Sequence, residues 1–334
     1  MAGNPTFDAI VTSTLRKYHK KLQENLMGHN ALLWLMRSKG YVDSKKGGRS
    51  IVQPLLYGSN STVRSYSGYD ILDVSPQAGI TAAEYVWKYV AGSVTISGQE
   101  EFENSGAERI FSLLEAKIKQ LEISMQLEIN SQLFAVGTAN GGKDLTGLGI
   151  AVEDGTAWST YGGIDRSDAA NTFWRNQWFD FDTEVNGGSA TTFGATKGNS
   201  VMGLAAMRRM FLNCSIGKHT PDLIVTTRTL YEEYEANIEG DKLRTQDTKL
   251  GDVGFINLKF KGVPIVFDDD LAAEEMLFLR SDFLRFVIGT GRDFVSSPFV
   301  KPQNQDAKVS QVLFAGNITT LKSDQLGRIS GITA

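Results

Sequence analysis

The sequence predicts an α+β protein, and three observations carry that prediction. Residues 107–136 contain no Gly or Pro and place apolar side chains every three or four positions, as a long helix does. Between 200 and 240 a helix–strand–helix pattern surrounds the apolar run Leu223–Thr226, which indicates an α/β subdomain. From Phe255 onward short runs of Val, Ile, Phe and Leu dominate, separated by Gly- and Asp-containing turns, as in consecutive β-strands.

In chain order, residues 6–40 read as helical pieces interrupted at Gly28. Leu22 and Leu26 share one face, and Leu32, Leu35 and Met36 share another. The segment is too short and too charged to build a core alone, so it is expected to lie as an arm against other structure. Residues 47–98 change character. Ser50–Tyr57 and Ala82–Ile96 are rich in Val, Ile, Tyr and Thr, with Val94 and Ile96 alternating against Ser93, Thr95 and Ser97. Between them Gly58–Gly79 is rich in Ser, Tyr, Gly and Asn. The expectation is a long β-hairpin with an irregular tip. A projecting hairpin has unpaired edges, which are hazardous unless a partner covers them, so its polar and aromatic surface points to an interface.

The helix over Ala107–Val136 has a capping-box signature at Ser105–Glu108 and a stop at Gly137. Ile110, Leu114, Ile118, Leu121, Met125, Ile129 and Leu133 form its apolar stripe. From Leu121 to Ile129 the pattern also alternates as a strand would. The run of Leu, Glu, Gln, Lys, Met and Ala decides for helix. At 1.5 Å per residue it is roughly 45 Å long. Residues 140–199 read as irregular chain with short strands. A helix capped by Asn199 or Ser200 runs to about Asn213, with Val201, Leu204, Ala205, Phe211 and Leu212 facing inward. The strand Leu223–Thr226 precedes a helix capped by Thr227 and stopped at Gly240, and 240–252 is a charged loop. Strands are expected at Ile256–Phe260, Val263–Phe267, Met276–Leu279, Phe283–Ile288, Phe294–Val295 and Val309–Thr320.

The side chains that could carry chemistry do not combine into a complete motif. Gly137–Asp144 is one residue short of a phosphate-binding loop, because Asp144 stands where a hydroxyl must meet magnesium. It also follows a helix rather than a strand, so its glycines are expected to turn the chain after that helix. Asp268, Asp269 and Asp270, with Glu274 and Glu275, could be read as a hard-metal site. Adjacent carboxylates point in different directions, however, so a solvated turn between strands is the preferred reading. His19, His29 and His219 are scattered without metal-ligand spacing. Arg208 and Arg209 adjoin an apolar helix face and read as surface residues, with intersubunit pairing to acids as the alternative. The tryptophans are expected to pack rather than form a ligand platform. No catalytic, cofactor-binding or metal residues are assigned.

The 334 residues suffice for one large or two medium domains. The lone cysteine, Cys214, cannot form an internal disulfide, and it reads as a small buried residue with no activating cluster nearby. The first 30 residues lack the apolar core of a secretory signal, and Ala31–Met36 is too short to span a bilayer. A soluble cytosolic product is expected. Charge is uneven: residues 1–50 hold nine Lys/Arg against three acids, a local +6, so with a net charge of −4 the remainder carries −10. A basic N-terminal arm on an acidic body points to two surfaces facing different partners. A solvated helix face is the plain alternative.

Two blocks resemble the major capsid proteins of tailed bacteriophages, the Hong Kong 97-type family. In Pro221–Phe286 a buried strand leads into a helix, then a polar loop, then the strand-and-turn sequence FKGVPIVFDDDL, then MLFLRSDFLRF. Tyr161–Gln177, YGGIDRSDAANTFWRNQ, is similar to a Gly-Gly-Ile-Asp-Arg…Trp-Arg segment of one branch. Together the blocks span about a third of the chain, and the order of the other elements fits the family.

The resemblance implies a Hong Kong 97-like capsid fold, shared with herpesvirus capsid floors and bacterial encapsulins. On that mapping 1–46 is an N-terminal arm and 47–98 the extended hairpin loop. Residues 99–139 and 266–334 form a peripheral domain with a long spine helix, and 140–265 an axial α/β domain. The implied function is structural and non-enzymatic: self-assembly as hexamers and pentamers into an icosahedral virion shell around double-stranded DNA. Assembly takes place in the host cytoplasm, with no membrane and no cofactor. Scaffolding, portal and decoration proteins are the implied partners. The N-terminus is short for an internal scaffolding domain, so scaffolding is expected to be separate or already removed. Arg16, Lys17, Lys20 and Lys21 are expected to face packaged DNA nonspecifically. Tyr57, Arg64, Tyr66 and Tyr69 are the expected intersubunit contacts. An encapsulin-like nanocompartment is the alternative shell, and a metal-dependent hydrolase using Asp268–Asp270 is a more distant one.

Overall fold

A computed structural model describes residues 31–103, 107–181, 192–197, 200–238 and 258–333. The helical reading of residues 6–30, the caps at Ser105 and Asn199, the stop at Gly240, the loop 240–252 and a strand start at Ile256 lie outside them.

The described chain begins with α1 (Ala31–Ser38), whose Leu32, Leu33, Leu35 and Met36 are buried. This part of the expected arm is therefore built into the main core. The next strand, β1 (Val42–Lys45), pairs in parallel with β10 (Leu284–Gly289). The sequence reading did not anticipate β1, because four residues carrying Asp, Ser and Lys have no alternating apolar signal.

β2 (Ser50–Leu56) and β3 (Ile80–Val86) form an antiparallel hairpin in register from Ser50↔Val86 to Leu56↔Ile80. Here the hairpin expected to run on to Ile96 needs correction. The second strand breaks at Trp87, and β4 (Lys88–Ser97) leaves β2 to pair with β12 (Ala307–Thr320), from Ala307↔Ser97 to Gly316↔Lys88. β2 is too short to pair with both segments, and the long C-terminal strand offers ten further partners.

β12 organises the first sheet. β4 lies along one edge, and β10 and β11 (Val295–Ser296) follow one another along the other. α2 (Ala107–Phe134) packs against β4. In its described part Ile118, Met125, Ile129 and Leu133 are buried while Ile123 and Leu127 are exposed. The ambiguous stretch 121–129 is thus helical, with every second apolar residue turned to solvent. Gly92 allows the close approach. A Cβ there would stand 3.2 Å from Met125 Sδ and closer still to Leu121.

The second sheet has six strands in the order β7 (Leu258–Phe260), β8 (Val263–Phe267), β6 (Leu223–Thr226), β9 (Met276–Leu279), β13 (Gly327–Ser330) and β5 (Gln177–Asp180). β6 and β8 are parallel, and β9 runs antiparallel to β6. α3 (Met202–Asn213) and α4 (Arg228–Ile238) cover one face. Ser200 does not cap α3. It sits in a two-residue bridge with Lys197, and the helix starts two residues later behind Val201.

All four residues of β6 are buried, and they alternate between two cores. Leu223 and Val225 join the core shared with the first sheet, α1 and α2, while Ile224 joins the core under α3 and α4. A strand covered on both faces reads as a continuous apolar run, as this one does. Val225→Asp places an unpaired charge between the two sheets. We expect it to destabilise the subunit by about 4 kcal/mol or more, read as insolubility or a large fall in melting temperature. A soluble variant that melts like the parent contradicts the assignment.

Candidate assembly surface

The hairpin presents two unlike faces. Ile51, Gln53, Leu55, Ala83 and Tyr85 point into the core. The alternate positions form a second face in the pairs Val52↔Glu84, Pro54↔Ala82 and Leu56↔Ile80. Those residues are exposed, Leu56 by 81 % and Ile80 by 78 %. An exposed two-stranded ribbon with an apolar outer face is marginal in water without a covering partner.

Beyond the ribbon, residues 59–78 are almost wholly exposed, including Val63, Tyr66, Tyr69, Ile71, Leu72 and Val74. Tip contacts are largely internal: Arg64 Nη2 donates to the Ile71 carbonyl at 2.7 Å, Ser61 Oγ donates to Gln77 Oε1 at 2.9 Å, and the Ser67 amide donates to Asp70 Oδ2 at 2.8 Å. At the neck the amides of Tyr57 and Gly58 both donate to the Gly79 carbonyl. Of the four expected contact residues, Tyr57 stacks on Phe173 of its own chain with ring centroids 4.6 Å apart. Arg64 serves the tip's internal turn, and Tyr66 and Tyr69 are exposed at the surface.

The hairpin root is held by buried polar groups. Gln53 Nε2 donates to Thr319 Oγ1 at 3.0 Å, and the Tyr85 hydroxyl donates to the Thr320 carbonyl at 3.2 Å. Asn317 Nδ2 donates to the Val86 carbonyl at 2.9 Å while its Oδ1 accepts the Thr146 amide. Tyr161 hydrogen-bonds Thr320 Oγ1 at 2.8 Å, packs edge-on against Tyr85 and stacks on Trp174, whose Nε1 donates to the Tyr161 carbonyl.

The Tyr161–Gln177 block is therefore the buttress of the hairpin. Gly162 has φ +59 and its amide carbonyl accepts from Glu84. A Cβ there would stand 2.9 Å from Ala83 Cβ, so only glycine fits. Arg166 is fully buried between the Trp158 and Tyr161 rings and pairs with Glu153 at 2.7 Å. Arg175 also lies over the Trp158 ring, 5.4 Å from its centroid. Sequence reasoning recognised this block by resemblance but not its role, because its partners lie some 150 residues away on β12.

Arg16, Lys17, Lys20 and Lys21 lie outside the described residues. Arg208 is exposed and Arg209 lies over the Phe179 ring at 5.2 Å. Cys214 is buried beside Met210, and burial pushes its thiol far above the ordinary range. Gly137, Asn140, Gly141 and Gly142 all have positive φ in a turn that follows α2 directly. Trp178 donates to Ser330 Oγ. The acidic turn after β8 is tied internally. Asn130 of α2 donates to Asp268 and to Asp270, the Asp270 amide donates to Asp268, and Asp269 pairs with Arg228 at 2.6 Å. Burial raises the Asp268 pKa, and the neighbouring Asp270 and Asp269 add to it, against hydrogen bonds that lower it.

No protein-family model matches this chain, and no curated protein does. Solved structures do. The cyanophage A-1(L) capsid asymmetric unit aligns over 88 % of this chain and 91 % of that chain at 18 % identity, with a TM-score of 0.60. The chain has the fold of phage capsid proteins. The capsid of Myoviridae phage XM1 aligns over 89 % and 92 % at 10 % identity and TM-score 0.53. The SrpI encapsulin complex of Synechococcus elongatus PCC 7942 aligns over 91 % and 88 % at 14 % identity and TM-score 0.51. The capsid fold here is α+β, as the sequence predicts.

Because Asp268 has a folded pKa above its unfolded value, its penalty is absent in acid and fully present once pH exceeds the folded value. Asp268→Asn should therefore raise the melting temperature at neutral pH. The gain should shrink to nothing as pH falls below the ordinary carboxylate range. A pH-independent difference refutes the assignment.

Proposed function

We propose that this chain is a major capsid subunit that self-assembles into an icosahedral shell around double-stranded DNA. The observation that carries the reading is the exposed apolar hairpin, rigidly buttressed at its root, on a chain with the phage capsid fold. A monomer gains nothing from holding Leu56, Ile80, Ile71 and Val74 in water. A shell subunit gains a contact that buries them against a neighbour. On this reading the function is structural and non-enzymatic, and the protein resides in the virion after assembly in the host cytoplasm.

In the finer reading, 1–46 is an arm, 47–98 the extended loop, 99–139 with 266–334 the peripheral domain and 140–265 the axial domain. α2 then serves as the spine helix. The second sheet draws β9 and β13 from one of these parts and β5, β6, β7 and β8 from the other, which ties the last two together. Hexamers and pentamers, a scaffold, a portal and decoration proteins belong to the same proposal, as do intersubunit contacts through Tyr66 and Tyr69. An encapsulin-like compartment is the second reading, supported by the likeness to SrpI. The contents of purified particles, nucleic acid or protein, decide between them.

Deleting Gly58–Gly79 should abolish closed particles in electron micrographs while the subunit keeps its melting transition. Normal particles from the deletion overturn the role of the tip. For the arm, replacing Arg16, Lys17, Lys20 and Lys21 together by Gln should leave empty shells intact and reduce genome retention, since phosphate contacts are nonspecific and salt-sensitive. Loss of empty shells instead assigns those cations to a subunit or scaffold contact.

A further inference from the structure

A cavity of about 400 Å³ opens where the hairpin root meets the first sheet. Its walls are Trp87, at the break between β3 and β4, and Tyr89 of β4, with Ala315 of β12. Gly47 and Gly48, from the β1–β2 turn, and Gly289 and Thr290, at the end of β10, close two sides. Arg292 completes the rim. Its backbone is fixed at both ends: its amide donates to the Gly289 carbonyl at 3.0 Å, and its carbonyl accepts the Ala315 amide at 2.8 Å. Its guanidinium lies 5.9 Å from the Tyr89 ring and has no carboxylate partner among the described residues. Among the described residues no acid lines the cavity, and Lys46 and Arg49, both exposed, flank its two glycines. The cavity therefore offers aromatic walls and an unneutralised guanidinium at one opening. An acidic group next to apolar side chains is the chemistry that fits it.

The hairpin tip carries that chemistry. Asp70-Ile-Leu-Asp-Val74 alternates carboxylates with three apolar residues, all exposed. Asp70 and Asp73 are the only acids between Tyr57 and Gly79. Each accepts one amide from the tip's own backbone, Ser67 for Asp70 and Ser75 for Asp73. Asp73 also takes a hydrogen bond from the Ser75 side chain, and with four lone-pair sites each carboxylate keeps room for a partner. Resting on the shell-forming reading above, we propose that the Trp87–Tyr89–Arg292 cavity is the receptor for the Asp70–Val74 segment of a second copy of this chain. The carboxylates meet Arg292, and Ile71, Leu72 or Val74 enters between the aromatic walls. The tip of one subunit is thus read at the hairpin root of the next, where β4 and β12 pair beside the aromatic walls.

Charge reversal tests the pairing. Arg292→Glu alone, and Asp70→Arg with Asp73→Arg, should each lower the yield of closed particles by about tenfold or more, because each sets like charges face to face. The three substitutions combined should restore the yield, and Arg292→Lys should assemble close to normally. Melting of every purified subunit checks that the fold is intact, and Arg292 is exposed, so no loss is expected. Parent chain that assembles while Arg292→Glu assembles equally well overturns the cavity and leaves the shell reading standing. So does a combined variant that remains as unassembled as its parents. Parent chain that never assembles overturns the shell reading and this inference with it.

Discussion

Asn317, Thr319 and Thr320, at the C-terminal end of β12, are completely buried polar residues. Buried polar groups must find hydrogen-bond partners, and leaving one unpaired costs about 1–3 kcal/mol. Here the partners are Gln53, Tyr85, Tyr161, Thr146 and the Val86 carbonyl. Satisfying β12 therefore fixes the root of the hairpin, and the direction in which the exposed ribbon leaves the subunit follows from that. The same strand holds β4, β10 and β11, so one fourteen-residue element sets both the sheet and the projection.

The buttress adds stiffness to that constraint. Tyr85 meets Tyr161 edge-on, Tyr161 stacks on Trp174, and Arg166 sits buried beside Tyr161, paired with Glu153. A buried ion pair is weak evidence for stability, since desolvation offsets much of its attraction. Its value here is geometric: the guanidinium satisfies the Ile150 and Ser159 carbonyls and positions two rings. A subunit that meets its neighbours through a long lever needs the base of that lever rigid, because a small tilt at the root becomes a large displacement at the tip.

The two-core arrangement follows from β6. Its residues Leu223, Ile224 and Val225 alternate between the cores, so at β6 neither face of the second sheet meets water. Through β6 the sheet joins the helical layer of α3 and α4 to the core of the first sheet. The hairpin and tip, by contrast, keep their apolar outer positions in solvent. Burial inside the subunit and exposure at the lever divide the labour between folding and association.

Local pattern was enough to locate most elements. The periodicity and composition of 107–136 specify α2, and the apolar runs at 223–226, 263–267 and 276–279 specify β6, β8 and β9, because those signals are carried within each segment. The projecting hairpin was legible in outline from its polar, aromatic composition. Its true extent was not, since the choice between β2 and β12 as the partner of residues 88–97 depends on a strand more than two hundred residues away. β1, β5 and β13 were likewise invisible: short and mixed in polarity, they become strands only because β10, β9 and each other offer edges to pair with. For the same reason the Tyr161–Gln177 block could be recognised without its task being read. Hydrogen bonds from Tyr161 to Thr320 and from Tyr85 to the same residue exist only once the chain has closed on itself, and only the tertiary structure could decide them.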